Sequence, residues 1–173
     1  MMGHHSNVLF LDLQGFMDDK VFIVKEMCIS SINNNKLCHY IFKPPYDWCL
    51  LSKASRKQAL WLKSLYHGFN WNDGFIDYFK IYSYIQPLIE NKDTVIYVKG
   101  QEKVKWLKTL CYYANINCIN IEDIGCTISL NDIEYKNKVN ECHCGKHKKI
   151  LQCAYQNVLI IKDWFIKNHN EQI

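Results

Sequence analysis

The sequence predicts an α/β fold in which helices flank a mixed β-sheet. Strand-like segments joined by short turns come first, and helix-like and strand-like segments then alternate toward the C-terminus. The length of 173 residues suits one hydrophobic core. Hydrophobic residues make up 49% of the chain and charged residues 22%, which excludes a disordered chain or a collagen-like repeat. We therefore expect one domain over residues 1–173, with a three-stranded antiparallel meander and two parallel strands.

The first three segments read as strands because they are short, apolar and bounded by turn residues. Residues 8–13 form an apolar run that contains Asp12. Residues 21–30 form the second strand, with Glu26 near its middle. Residues 38–42 form the third, which two prolines end. Because the connecting turns are short, we expect the three strands to be antiparallel neighbours.

The remaining segments alternate between the apolar spacing of helices and the short apolar runs of strands. A helix over residues 52–66 has apolar residues at helical spacing and Ser52 as its cap. After it we predict a helix over 75–89, a strand over 94–98, a helix over 102–113, a strand over 116–121, a short helix or loop over 128–135, a polar loop over 136–149 and a helix over 150–167. This order is the layout of ribonuclease H-like domains, most closely of the proofreading-type exonucleases. A shared fold does not by itself assign a function.

Charge and hydropathy narrow the class of partner. The net charge is +4, and Arg56 is the only arginine, so we do not expect sequence-specific reading of DNA. Lysines permit point-charge contact with phosphates. No apolar run is long enough to span a bilayer, and the N-terminus lacks the pattern of a signal peptide. We expect a cytoplasmic or nuclear protein without membrane contact, whose 9 cysteines are free thiols or metal ligands.

A cluster of cysteine and histidine residues near the C-terminus predicts a zinc site. Cys144, His147 and Cys153 lie within about ten residues. Thiolate and imidazole groups at such spacing are ligands that zinc takes in tetrahedral sites. The fourth ligand stays open between two local residues, Cys142 and His143, and one distant residue, Glu26. Glu26 stands in an apolar strand, where it is either buried with a compensating partner or directed to solvent.

Five segments carry a resemblance to a known family: VLFLDLQGF, VKEMCI, HYIFKPP, YHGFNW and CHCGKHKKILQCAYQNV. They are similar to the Maelstrom domain, and the resemblance spans roughly residues 8–165. It implies a ribonuclease H-like fold related to DEDDh exonucleases. It implies one structural zinc ion held by Glu26, Cys144, His147 and Cys153. It also implies binding of single-stranded RNA, or an adaptor role with protein partners, in RNA silencing or a mobile-element context.

The carboxylates of a two-metal nuclease are largely missing. Such a site needs several acidic oxygen ligands for two hard cations. Asp12 is present, but Gln14 stands where the first motif has its second acid. Glu102 is the only acid close to the end of the strand over 94–98, and Cys153 stands near the last aspartate position. We therefore expect no enzyme of this kind, with Asp12 as the residual catalytic candidate. An active single-strand nuclease and a protein-binding scaffold are the alternatives.

Several surface groups are candidates for nucleic-acid contact. The first choice is the lysine cluster of the polar loop, Lys146, Lys148 and Lys149. A second set forms either a basic stripe or a solvated helix face, and consists of Lys99, Lys103, Lys105 and Lys108. Aromatic candidates for base stacking, most of them expected in the core, are Tyr66, Trp71, Tyr78 and Tyr113. We interpret His67 and Gly68 as a helix end with an aromatic plug.

Overall fold

The computed structural model describes residues 7–34, 36–130, 144, 147 and 152–169, and this part has the predicted α/β architecture. The strands are β1 (Val8–Asp18), β2 (Val21–Ser31), β3 (Leu37–Ile41), β4 (Val95–Val98) and β5 (Asn117–Asn120). The α-helices are α1 (Lys53–Leu65), α2 (Ile81–Ile89), α3 (Gln101–Leu110) and α4 (Ala154–Asn168). Most of the predicted 128–135 segment, and the 136–149 loop except Cys144 and His147, lie outside the described residues.

The sheet confirms the predicted mixed topology. Its five strands lie in the order β3-β2-β1-β4-β5. β1 pairs with β2, and β2 with β3, in antiparallel register, which is the predicted meander. β4 pairs with β1, and β5 with β4, in parallel register. Because helices lie between the parallel strands in sequence, both faces of the sheet are available for helix packing.

β1 is longer than the predicted strand over 8–13, because a bulge carries it past Gly15. The register with β2 shifts between Gln14 and Gly15. A Cβ atom on Gly15 would lie 2.1 Å from the carbonyl oxygen of Ile23, so a larger residue does not fit. Before the shift, Gln14 is paired with Glu26. The bulge therefore sets the register beside the carboxylate of β2.

Each face of the sheet buries its own apolar cluster. One cluster joins β1 to α2 and α3, and includes Leu9, Leu11, Leu13, Ile85, Val104 and Leu107. The other joins β1 to α4, and includes Phe10, Tyr97, Val158, Ile161 and Phe165. Since side chains alternate along a strand, Asp12 and Gln14 share the face of Phe10. Two polar side chains of β1 are thus directed toward α4.

The helix predicted over 75–89 begins later than its pattern indicates. Phe75 donates its backbone N–H to the carbonyl of Ile41, and Ile76 bridges Phe42 as a short parallel extension. These bonds hold the backbone extended, and α2 starts at Ile81 after one 3-10 turn. Phe75, the first residue of the predicted helix, therefore lies outside α2 and is 81% exposed. By contrast, the cap of α1 is confirmed, since the Ser52 hydroxyl accepts from the Ser55 N–H at 3.1 Å.

Two buried lysines tie loops to the sheet. The Lys25 ammonium donates to three backbone carbonyls, those of Phe42 at 2.9 Å, Trp71 at 2.6 Å and Asp73 at 2.5 Å. The Lys162 ammonium of α4 donates to Ser31 O and Asn34 O at 2.7 Å and to Ser30 Oγ at 3.3 Å. Burial lowers the pKa of Lys25 to about 8, although the negative charge of Asp73 opposes this shift.

Among the described residues, no helix has both the length and the apolar character needed to cross a bilayer.

Candidate metal centre

Glu26 lies in the middle of β2 and has no exposed surface. The alternative that it points to solvent is therefore wrong. Its neighbour Met27 belongs to the cluster under α2 and α3, so Glu26 is directed to the opposite face, toward α4. A buried carboxylate is costly unless hydrogen bonds or positive charge compensate it. The groups that compensate Glu26 come from the far end of the chain.

Three groups near the start of α4 surround the Glu26 carboxylate. Ala154 donates its backbone N–H to Oε2 at 3.0 Å. His147 Nε2 lies 3.0 Å from Oε1, and Cys153 Sγ lies 3.7 Å from the same oxygen. The helix predicted over 150–167 begins at Ala154, so Cys153 is its N-cap residue and lies just before its first turn. The helix start thus delivers a thiol and an amide to a carboxylate 127 to 128 residues earlier in the sequence.

These side chains could hold a metal ion. One ligand atom from each of Glu26, His147 and Cys153 lies within 4.8 Å of the other two. The set consists of a carboxylate oxygen, an imidazole nitrogen and a thiol sulfur, which are the donor types of metal sites in proteins. Glu26 and Cys153 are fully buried, so an ion here would be shielded from water. Three of the four ligands that the resemblance implies therefore lie close together.

The fourth predicted ligand, Cys144, lies outside this group of mutually close atoms. It packs instead against an apolar cluster that includes Phe16, Leu51, Phe69 and Trp71. The other local candidates, Cys142 and His143, lie outside the described residues. The identity of the fourth ligand stays a prediction.

His39 is a neighbour of the carboxylate that the sequence analysis missed. Its Nε2 lies 2.7 Å from Glu26 Oε1, and its side chain is 15% exposed. β3 is antiparallel to β2 with Glu26 opposite Ile41, so His39 occupies the diagonal position on the same face. That register could have revealed the contact, but sequence alone did not fix it. His39 links the buried carboxylate to the surface.

Electrostatics keep Glu26 ionised. Burial by itself would raise the pKa of this carboxyl, because it disfavours the charged form. Hydrogen bonds from His147, from His39 and from the Ala154 amide, with the charge of His147, outweigh burial and lower the pKa to about 2. The carboxylate is consequently available as an anionic ligand at neutral pH.

Asp12, the residual catalytic candidate, is enclosed by a network of its own. The Lys103 ammonium is hydrogen-bonded to Oδ1. Oδ2 accepts from Asn157 Nδ2 at 2.9 Å and from Gln14 Nε2 at 3.2 Å. Asp12 has no exposed surface. Its charge is therefore neutralised by a side-chain ammonium, and both of its oxygens already accept hydrogen bonds.

The predicted cationic stripe divides into two parts. Lys99 and Lys103 have side chains only 14% and 13% exposed, and they pair with Glu122 and Asp12. Lys105 and Lys108 are exposed, as expected of a solvated helix face. The lysine cluster that was the first choice for nucleic-acid contact, Lys146, Lys148 and Lys149, lies outside the described residues.

The His67 segment has the structural role that its sequence predicts. Nδ1 of His67 accepts the Phe69 N–H at 3.1 Å, so Nε2 carries the proton and donates to Gly15 O at 3.1 Å. Burial lowers the pKa of His67 to about 4, although the Gly15 bond opposes this shift. Trp71 is buried and packs against Phe16, which His67 also contacts, so Trp71 is not a stacking surface. Tyr66 and Tyr113 remain exposed.

The fold and the two polar clusters together define an α/β domain with a buried group of possible metal ligands beside a neutralised aspartate. No protein family, no curated protein and no solved structure matches the chain.

Proposed function

We propose that this chain is a zinc-stabilised ribonuclease H-like module of the Maelstrom kind that binds single-stranded RNA and lacks a two-metal nuclease site. The observation that carries the proposal is the state of Asp12. A two-metal site needs carboxylates that are free to bind hard cations. Here Asp12 is paired with Lys103 and bonded to Gln14 and Asn157. An ammonium thus takes the place where such a site would need a divalent cation.

Zinc is the proposed ion because of the donor set. A thiolate and an imidazole favour zinc over magnesium, which prefers oxygen ligands. Glu26, His147 and Cys153 would hold it, and the fourth ligand stays a prediction. When bound, zinc supplies coordination energy that joins β2 to the start of α4 and so stabilises the folded state. A thiolate site also fits a cytoplasmic or nuclear location, where thiols stay reduced.

RNA is the proposed partner because the surface cations are lysines and the net charge is +4. Lysine contacts phosphates as a point charge and distinguishes poorly between bases. This suits the binding of single strands through their phosphate backbone and through base stacking. An adaptor role toward protein partners, in RNA silencing or a mobile-element context, is compatible with RNA binding. It does not require catalysis.

The test combines a binding assay with a cleavage assay on the same protein. We expect labelled single-stranded RNA to bind with an affinity that falls steeply as salt rises. We expect the wild type to show no RNA cleavage that requires both a divalent cation and the Asp12 carboxylate. The variant Asp12→Asn tests the second requirement. Cleavage lost in that variant would establish the nuclease alternative and contradict the proposal. Absence of RNA binding at low salt would remove RNA as the partner and favour the protein scaffold.

A further inference from the structure

A cavity of about 390 Å³ lies where the end of α1, the start of α3 and the start of α4 meet. Six of the side chains that line it are Gln14, Tyr66, Lys99, Lys103, Gln152 and Asn157. Its size is at the lower end of the roughly 300–1,000 Å³ typical of pockets for small ligands. It lies on the α4 face of the sheet next to the metal cluster, since Gln14 pairs with Glu26 and Asn157 is one turn after Cys153. The cavity is nevertheless lined by none of the possible metal ligands.

The lining suits an anion. Lys99 and Lys103 both line the cavity, and no carboxylate is among the described residues that do so. Their partners Glu122 and Asp12 lie outside the lining, and each lysine ammonium has three donor protons. Within the described residues each ammonium bonds one carboxylate, which leaves its other protons available to a ligand. The two ammonium groups would therefore favour a phosphate oxygen over a neutral group.

The same lining offers acceptors that lack a donor. Gln152 Oε1 and Asn157 Oδ1 are buried and accept no hydrogen bond within the described part of the chain. Asn157 is 2% exposed and uses its other amide atom on Asp12. A buried acceptor without a partner is costly, and a hydroxyl donor nearby would relieve it. A ribose supplies hydroxyls next to its phosphates.

An aromatic pair adjoins the cavity through Tyr66. Tyr66 lines the cavity, and its ring stacks with Trp61 at a centroid distance of 6.2 Å and an angle of 22°. Trp61 is 52% exposed and Tyr66 is 38% exposed, so neither serves mainly as core. Exposed aromatic faces beside cations are the recognition elements of single-stranded nucleic acids. The sequence analysis named Tyr66 as a stacking candidate but not Trp61.

The helix that carries this pair is basic. α1 contains four cations, Lys53, Arg56, Lys57 and Lys63, and no acidic residue. Lys57 and Trp61 are four residues apart and both exposed, so they share one face of the helix. A strand that leaves the cavity along α1 would meet further positive charge. This charge pattern favours a polyanion over an apolar peptide as the occupant.

We propose that a single strand of RNA crosses this surface, with a base stacked on Trp61 and Tyr66 and its adjacent phosphate in the cavity at Lys99 and Lys103. The inference rests on the proposed RNA binding, and it adds the place and the mode of recognition. Stacking is tolerant of base identity, so the strand is bound with little sequence preference. Zinc plays no direct part in the contact.

The test measures the affinity of labelled oligouridine by fluorescence anisotropy over a salt series. Trp61→Ala is expected to weaken binding by about 5- to 100-fold. Trp61→Phe keeps an aromatic face and is expected to retain most of the affinity, while the quenching of Trp61 fluorescence on RNA addition disappears. Lys99→Gln is expected to reduce the salt slope by about 0.7, the contribution of one phosphate on a single strand. An oligodeoxyuridine of equal length tests the ribose contribution, and weaker binding is expected.

The matched control is Tyr112→Ala, which removes an aromatic side chain that is 78% exposed and does not line the cavity. It should leave the affinity unchanged. Circular dichroism and thermal melting verify that the Trp61 variants fold, as expected for a residue 52% exposed. Wild-type affinity in Trp61→Ala, with RNA still bound, overturns this inference and leaves the proposed function intact. Failure of the wild type to bind any RNA overturns both.

Discussion

The ammonium group of Lys103 is hydrogen-bonded to the buried carboxylate of Asp12, across 91 residues of sequence. Lys103 lies in the first turns of α3, and Asp12 lies in β1. Their pairing joins β1 to α3, and no local sequence pattern predicts that these two elements are in contact. It also neutralises the residue that would be needed for hydrolysis by a two-metal site.

A double-mutant cycle measures this pair. Asp12→Ala and Lys103→Met should each lower the free energy of unfolding by about 3 kcal/mol, because each leaves a mostly buried charge without its partner. The double variant should be less destabilised than the sum of the singles, by roughly 1–3 kcal/mol. Urea denaturation checks the coupling. Strict additivity would show that the two groups do not interact in solution.

Lys25→Met should destabilise the fold more than a surface substitution does. The variant keeps the apolar stem but leaves the carbonyls of Phe42, Trp71 and Asp73 without the donor they share. We expect a loss of about 3 kcal/mol in urea denaturation, since unsatisfied buried carbonyls are costly. The control is Lys105→Met, at an exposed position of α3, with a change within about 0.5 kcal/mol. Equal stability of the two variants would contradict the role assigned to Lys25.

The neutral state of His67 predicts a dependence of stability on pH. Its pKa falls from 6.5 to about 4 on folding. Between these pH values the His67 imidazole is therefore protonated in the unfolded chain and neutral in the folded chain. Stability from this residue is complete above pH 6.5 and is lost as pH falls toward 4. The loss amounts to about 3 kcal/mol over the interval.

The check for His67 is the difference in slope between the wild type and His67→Gln. Both proteins are measured at the same zinc saturation, because metal binding has its own pH dependence. The variant should be less stable at pH 7 but should lose less stability on acidification to pH 4. Parallel curves would mean that His67 does not titrate with folding.

If the proposed zinc ion is bound, its removal should loosen the contact between β2 and α4. We expect a zinc chelator to lower the melting temperature by about 10 °C, given the stabilisation that a tightly bound ion contributes to a domain of this size. Added zinc should restore it, whereas magnesium should not, because thiolate and imidazole are poor ligands for magnesium. An unchanged melting temperature in the presence of the chelator would rule out a structural ion.

The fold was accessible from the sequence because its strands are short apolar runs between turn residues. Glu26 was recognised as a carboxylate inside such a run, but the sequence left open whether it is buried or directed to solvent. The contact of His39 with Glu26 and that of Lys103 with Asp12 were not recognised, since both depend on strand register and helix docking that no local pattern encodes. The predicted helix start at Phe75 was wrong for a related reason. Backbone hydrogen bonds to the end of β3 hold this residue in an extended conformation.

The most direct test of the account is the zinc content of the purified chain and of three variants by elemental analysis. We predict one zinc ion per chain in the wild type and none in Glu26→Ala or Cys153→Ser, two residues 127 positions apart. Cys118→Ser is the matched control, because it removes a buried thiol of β5 that is not in the metal cluster, and it should keep its zinc. Full zinc content in either ligand variant, or none in the wild type, would contradict the proposed centre.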